Sequence, residues 1–568
     1  MATGTQTFGL HERLAEPQVL PPPPVRNALL FFLVALALIL HIGTAGWSEI
    51  QNGAEGFYAG SAREMLAAGS LLPRNAGQAL ADEPPLLHWL LLGSYSAFGV
   101  TPAAARIPIA LAFVASVALT FLIGERLGGY WRGFVAGMIY LCSCGAYTWA
   151  RFVTPEPILA AIIAGAIFCA VAGYQRRQSR RLWFVGFALC AGAAYLTRGA
   201  YALFFLSLVL AVPALCFREA GLRFRALFHW SPLGALLVVV TPWLLLLHQR
   251  APGALLNAVW FSPFAQSAID AQLIDAPLAR LLGSHLVWWF PALLLIVPGV
   301  LFAWRKVVRP HEIEFADLLP LWWVIAGFVS LVISGDHAAQ SMVIWSGFAL
   351  AAASAWDRIS SALRLAGVAL VVVVGIAAVA AISAGRLVLP DLARSAFELG
   401  DGTFLILVGA ALAVCCGAAA YLVWHGREKL AIATLLLAMV PIGLGAAESI
   451  ARNSPYLSFA RVAPFLRPAG VPASEVMFEG SPEAGSSLEF YLEGRFAVVQ
   501  DDPKPHVAAA RPALTAEQAL QRMAKPEPVY LIIHKDRVPW WQAQLTERFH
   551  IYHQAASCGM HAVVSNHQ

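Results

Sequence analysis

Uninterrupted apolar runs of roughly 18 or more residues recur along this chain, each long enough to cross a bilayer's hydrocarbon core as a helix. The clearest lie at 28–46, 104–125, 131–149, 157–175, 182–197, 200–216, 231–249, 285–303, 317–334, 338–356, 363–383, 403–424 and 430–447, about thirteen in all. The 568 residues are 59% hydrophobic and 12% charged, with a mean hydropathy of +0.67. A soluble domain carries about twice that charge share. The chain is therefore expected to be a polytopic α-helical membrane protein.

Charge sorts the connections between runs. Arg126 and Arg132; Arg176, Arg177, Arg180 and Arg181; Arg218, Arg223 and Arg225; Arg305, Lys306 and Arg309; Arg358 and Arg364; and Arg427 and Lys429 form six basic clusters. Two spans separate each from the next, so all six share one side, which the positive-inside rule makes the cytoplasm. Arginine scattered over short loops forms no stripe for nucleic acid, which is not expected as a partner. The same parity decides Pro85–Phe98, an apolar stretch of only about fourteen residues. If it crossed, every later basic cluster would lie outside, so it is expected to lie on the membrane surface. An external first loop then extends over 47–103. Residues 1–27, polar and Pro-rich, read as a disordered cytoplasmic tail, and 28–447 as the transmembrane domain.

From 448 to 568 the composition turns more polar. EVMFEG, LEFYLEG, FAVVQ, PVYLIIHK, FHIYHQ and HAVVSN predict strands. TAEQALQRMA, with Thr515 and Gln518 in capping-box spacing, and VPWWQAQLTERF predict helices. A small extracytoplasmic α/β domain of normal size is expected. Seven of the eight cysteines fall in or beside apolar runs and only Cys558 lies in this tail, so no disulfide is available there. No solenoid repeat and no Gly-rich phosphate loop is present.

Chemistry concentrates where charge is otherwise scarce. The loop from Trp47 to Phe98 gathers Glu55, Tyr58, Arg63, Glu64, Asp82, Glu83 and His88. Glu55 can deprotonate a hydroxyl or help hold a divalent cation; as a helix-start carboxylate it can equally serve the dipole. Glu156, in TPEP at the outer mouth of a span, has the same two uses. Arg198 in LTRGA, with Arg63, Arg74 and Arg106, can anchor the interface or bind phosphate bidentately. Asp336 and His337 form a short external turn. Paired tryptophans, Trp288–Trp289 and Trp322–Trp323, suit an interfacial belt.

In order, EGFYAGSAREMLAAGSLLPR, EPPLLHWLLLGSYSAFGV and AARIPIAL resemble the first external loop of bacterial family-39-type glycosyltransferases. These are GT-C membrane enzymes that include lipid A aminoarabinose transferases and protein O-mannosyltransferases. FVTPEPILAA resembles the second acidic motif, YLTRGAYAL the Lys-Gly-Pro segment, TPWLLL the Pro-Trp helix and LVISGDHAAQSMVIWSGFALAA the late span pair. The resemblance covers most of 28–450. It implies inverting transfer of a sugar from a polyprenyl-phosphate donor to a lipid or cell-envelope acceptor, on the periplasmic face of a bacterial inner membrane. It further implies Glu55 or Glu156 as catalytic base and Arg63, Arg106 and Arg198 at the donor phosphate. Tyr58, Glu83, His88, Asp336 and His337 would line the substrate pocket, and a divalent metal ion could assist phosphate departure. The sequence departs from the pattern at four positions: Ala54 replaces the first acid, Phe57 an arginine, Glu83 a lysine, and Glu156 an aspartate. A relative that kept the fold but lost the chemistry, acting in envelope assembly or as a lipid-linked-sugar transporter, is the alternative.

Overall fold

The computed structural model describes residues 24–75, 77–81, 83–176, 179–255, 288–289, 314–334, 341–356, 402–466, 472–492, 495–500, 513–549 and 552–567. Helix α1 (Pro24–His41) leads into the first loop, which holds α2 (Ala54–Ala68), a two-stranded hairpin of β1 (Arg74–Asn75) and β2 (Gln78–Ala79), and α3 (Leu86–Phe98). Then come α4 (Pro102–Gly128), α5 (Tyr130–Cys142), α6 (Cys144–Trp149), α7 (Pro155–Gln175), α8 (Arg180–Arg198), α9 (Ala200–Cys216), α10 (Arg218–Phe224) and α11 (Trp230–Arg250). Later helices run over Phe315–Ser334, Met342–Trp356, Gly402–Trp424, Glu428–Leu437 and Met439–Arg452.

Local signals set the ends of these helices. Thr101 caps α4, its hydroxyl accepting from the Ala104 amide at 3.1 Å, with Pro102 in the first turn where no amide is needed. Gly69, at φ +59°, closes α2 in a left-handed turn: its amide reaches Leu66 O, and that of Ser70 reaches Met65 O. α3 is a 13-residue helix, too short to span. It lies against α2 and α4, pinned by Ser94 Oγ to Ala104 O at 2.6 Å.

Four described helices, α1, α4, α7 and α11, are long and apolar enough to cross a membrane. Two expected spans prove discontinuous. The run at 131–149 breaks at Ser143, whose backbone is extended and whose hydroxyl bonds Ile139 O at 2.6 Å. The run at 430–447 divides at Ala438. Local hydroxyl and packing demands interrupt these helices where hydropathy sees one run. The expected spans at 285–303 and 363–383 fall essentially outside the described residues, as does most of the expected tail 1–27.

After residue 472 a six-stranded sheet has the order β5-β4-β3-β6-β8-β7. Strands β3 (Val476–Glu479), β4 (Ala497–Val499), β5 (Ala513–Leu514) and β6 (Tyr530–His534) run parallel, while β7 (His553–Cys558) and β8 (His561–Ser565) add an antiparallel edge. Tyr530 and Ile532 face one apolar cluster; Leu531 and Ile533 face another that contains Trp541 and Leu545. Burial on both faces explains the unbroken apolar run YLIIH. Ala516–Met523 is a helix with the expected Thr515–Gln518 capping box, and Val538–Phe549 is the second helix.

LEFYLEG departs from expectation: Ser487–Tyr491 is helical. Its β-propensity yields to packing, because Leu488 and Leu492 must enter the sheet's core while Phe490 enters the first loop's core. This short helix joins the two parts of the molecule. Gly56 and Gly60, one turn apart on α2, press on it. A Cβ at Gly56 would stand 2.6 Å from Ser486 Oγ, and one at Gly60 2.5 Å from Glu489 Cβ. Gly60→Ala is expected to destabilise the protein by about 1–3 kcal/mol through overpacking, despite a helix-propensity gain of ~1 kcal/mol. Gly93→Ala on α3, where an added Cβ meets nothing within 4 Å, should show only the gain. Thermal unfolding of the purified variants compares the two, and equal shifts would dismiss this docking contact.

Candidate functional site

Two buried acid–arginine pairs stand at helix ends beside the first loop. In the first, Glu55 sits in the first turn of α2 and meets Arg106 of α4. Arg106 Nε donates to Glu55 Oε1 at 2.9 Å and Nη2 to Oε2 at 3.0 Å. The same guanidinium reaches the carbonyls of Ala45 (3.0 Å), Ser48 and Glu49 (2.9 Å). Glu55 also accepts from the amides of Gln51 at 2.9 Å and Val153 at 3.3 Å. Both side chains are buried, at 2% and 5% exposure. Each carboxylate oxygen already has two donors, so Glu55 has neither room nor free lone pairs for an acceptor hydroxyl.

The second pair is built differently. Pro155 and Pro157 hold the start of α7 and point Glu156 across to Arg198, the last residue of α8. Gly199, at φ +61°, lets the chain reverse at once into α9, so Arg198 stays at the mouth. Arg198 Nη2 donates to Glu156 Oε1 at 2.7 Å. Its side chain keeps 24% exposure against 7% for the acid. Among the described residues its other donors meet no acceptor, so the guanidinium remains able to bind a further anion.

Tyr58 closes this group. It lies one turn beyond Glu55, and its phenol senses the charges of Glu83, Arg198 and Glu156. Burial and then the Glu83 carboxylate push it well above its usual range, so it stays a neutral hydroxyl. The ring of Tyr58 rests 5.6 Å from that of His88. His88 is fully buried, and neither ring nitrogen has a hydrogen-bond partner among the described residues. Burial lowers it from 6.5 to about 4, opposed weakly by the nearby Pro84 carbonyl.

Tyr58, Glu83, Glu156 and Arg198 thus come together with His88 behind them. Glu55 and Arg106 form a separate internal post, and Arg63 turns away to donate through Nη1 to Phe490 O. Of the expected phosphate-binding arginines, Arg63 and Arg106 are spent on protein acceptors, because buried backbone carbonyls of the loop and of the helix Ser487–Tyr491 need donors. Arg74 bonds Gly77 O at 2.8 Å and lies 3.7 Å from Glu64. Asp336 and His337 lie outside the described residues. No three His, Cys, Asp or Glu side chains among those described converge as a metal site would require. Sequence reasoning passed over Glu49, which accepts from the Tyr491 hydroxyl at 2.6 Å, and Arg151. Glu49 carries no local signal, since Tyr491 lies 442 residues away; Arg151 has one in Tyr147, one turn earlier, while its other partners, Thr44 and Leu40, lie over 100 residues away.

The Glu55→Gln variant should lose about 3–5 kcal/mol, the usual result of breaking a buried pair by removing one partner. Arg106→Gln should cost a similar amount and the double variant far less than the sum, as read from thermal unfolding. His88 gives a pH signature. Its folded-state value lies below the unfolded one, so the unfolded chain takes the proton first as pH falls. Stability is full above about 6.5 and declines toward about 4, by roughly 3 kcal/mol at most. A His88→Phe variant should show a shallower decline over that window, and matching pH profiles would count against the assignment.

Comparison with known proteins places this architecture. Residues 82–246 match the family described as dolichyl-phosphate-mannose-protein mannosyltransferase. An uncharacterized protein of Aquifex aeolicus (strain VF5) is 28% identical over 156 residues, 27% of this chain and 31% of that one, so the match spans under a third of the relative's length. The crystal structure of ArnT from Cupriavidus metallidurans bound to undecaprenyl phosphate superposes with a TM-score of 0.77 at 20% identity, covering 95% of this chain and 98% of that one. The archaeal oligosaccharyltransferase AglB from Archaeoglobus fulgidus, in complex with an inhibitory peptide and a dolichol-phosphate, superposes with a TM-score of 0.50 at 12% identity, covering 92% and 71%. The chain has the GT-C fold of a multi-pass membrane protein, and the resemblance carried by its first loop holds.

Proposed function

We propose that this GT-C protein is an inverting membrane glycosyltransferase, moving a sugar from a polyprenyl-phosphate donor to a lipid or cell-envelope acceptor. The observation that carries the reading is the Glu156–Arg198 pair, an acid and a cation with spare donors placed together at an outer helix mouth beside Tyr58 and Glu83. The donor's lipid stays in the bilayer and its phosphate reaches the interface, where the exposed edge of Arg198 can hold it. Glu156 then takes the proton of the acceptor hydroxyl. The oxygen attacks the anomeric carbon from the face opposite the phosphate, and the C–O bond to phosphate breaks with its electron pair on the leaving group. Arg198 stabilises that growing charge. One displacement inverts the anomeric centre. Tyr58, as a neutral hydroxyl, and Glu83 hold the sugar's hydroxyls.

Base duty falls to Glu156 because Glu55 is saturated with donors. The positive-inside pattern supports a bacterial inner-membrane location, with the N-terminus cytoplasmic and the C-terminal sheet periplasmic. A divalent metal would have to draw on Glu83 and Glu156, and the steps above do not need one.

A second reading has its own support. Glu83 stands where the resemblance implies a cation, and Arg63 and Arg106 are consumed by protein acceptors, which fits a relative that binds lipid-linked sugars without turning them over. Reconstitution with radiolabelled polyprenyl-phosphate sugars and envelope lipid separates the two. Glu156→Gln should lower turnover by about 10²–10⁴, and Arg198→Gln should raise the donor concentration needed, while both fold as the wild type does. Donor bound but never consumed by the wild type establishes the second reading.

A further inference from the structure

Arg151 stands between α6 and α7, in the connection that delivers Glu156 to its place. It is only 8% exposed, and no carboxylate hydrogen-bonds it among the described residues. Its guanidinium meets neutral oxygens instead. Nη1 donates to Thr44 Oγ1 at 2.7 Å, to the Tyr147 hydroxyl at 3.2 Å and to Leu40 O at 3.5 Å, and Nη2 to Thr44 O at 3.1 Å. Leu40 lies in the last turn of α1 and Thr44 just beyond it. The final carbonyls of a helix lack amide partners and carry the negative end of its dipole. The end of α1 therefore takes the place of a carboxylate for Arg151. The Thr44 hydroxyl donates to Leu40 O at 2.5 Å and tightens the same turn.

This clamp matters because the connection has few other anchors. Residues 150–154 are non-helical, and all but Phe152 are buried. Their own backbone bonds reach back only to α6, from the Arg151 amide to Thr148 O and from the Phe152 amide to Trp149 O. The Val153 amide reaches Glu55. The Thr154 hydroxyl is buried without a partner among the described residues and gives α7 no side-chain cap. Pro155 and Pro157 then stiffen the first turn of α7, so a displacement of 151–154 passes on to Glu156 and is not absorbed. Two side chains thus hold the mouth of α7: Glu55 from α2, and Arg151 gripping α1.

We propose that Arg151 is a positioning residue for Glu156. Anchored on the end of α1, it fixes where the acid stands relative to Arg198, which belongs to a different helix and meets Glu156 through a single bond at 2.7 Å. A slip at the mouth of α7 moves the base away from the acceptor hydroxyl while leaving the phosphate-holding cation in place. Arg151 itself is buried among protein acceptors and acts through Glu156. The inference rests on the glycosyl-transfer reading.

The test is steady-state kinetics of the full-length protein, reconstituted with radiolabelled polyprenyl-phosphate sugars and envelope lipid, with rates expressed per folded molecule. Arg151→Gln should lower kcat by about 10²-fold, the scale of a misplacement of about 1 Å, and leave the donor KM unchanged because Arg198 is intact. Arg26→Gln is the control. It removes an arginine at the other end of α1, bonded to Glu125 at 2.8 and 2.7 Å, and should lower thermal stability without changing kcat per folded molecule. If Arg151→Gln does not fold, Thr44→Val, which deletes one of the acceptors, takes its place and should lower kcat less steeply, again with KM unchanged. Wild-type kcat in the folded variant overturns the proposal, and so does a loss that appears in KM alone. A fall in kcat per folded molecule of the same size in Arg26→Gln overturns it too, by assigning the effect to α1 as a whole. A wild type that consumes no donor overturns the glycosyl-transfer reading and this inference with it, whereas turnover by the wild type beside an unaffected variant overturns the inference alone.

Discussion

One buried ion pair ties the first loop to the helices around it. Arg106 of α4 holds Glu55 bidentately and also satisfies three carbonyls of the chain leaving α1. Glu55 in turn holds the amides of Gln51 and Val153. Four segments therefore meet on two side chains: the chain leaving the first span, the start of α2, the first turns of α4, and the residues that feed α7. Such a pair adds little stability relative to an apolar plug of the same shape. What it adds is geometry, because a guanidinium fork and a carboxylate accept few arrangements.

The candidate site inherits its shape from that post. Val153 precedes Glu156 by three residues, so fixing its amide fixes the mouth of α7. Tyr58 follows Glu55 by three, so fixing the start of α2 fixes where the phenol stands among Glu83, Glu156 and Arg198. The glycines on the opposite side of α2 let the helix Ser487–Tyr491 press close, and Tyr491 bonds Glu49 and the Ile50 amide. The C-terminal sheet is thereby braced against the loop that forms one wall of the site. A substitution at the sheet junction would disturb the candidate site through α2 without touching Tyr58, Glu83, Glu156 or Arg198.

Much of this was legible in residue order. Apolar runs mark the helices because the bilayer core demands about 20 consecutive apolar residues. Basic clusters at two-span intervals predict sides, and the short length of Pro85–Phe98 predicts a helix that does not cross. Capping-box spacing at Thr515–Gln518 places a helix start. Discontinuities were not legible. A break at Ser143 or Ala438 leaves hydropathy unchanged, and the helical state of LEFYLEG depends on two cores that form only when distant segments meet.

The roles of the charged residues divide in the same way. By itself the sequence determined which ionisable groups lie at the ends of apolar runs and that Glu55, Tyr58 and Glu83 share the first loop. Only the tertiary structure decided that Glu55 is a post while Glu156 makes a single bond to the partly exposed Arg198, that Arg106 and Arg63 are spent on protein acceptors, and that Arg151 hydrogen-bonds no carboxylate among the described residues. The reason is physical: a side chain's type and spacing show what it can bond, but which partner consumes it depends on what folding brings within 3 Å, often from residues hundreds of positions away.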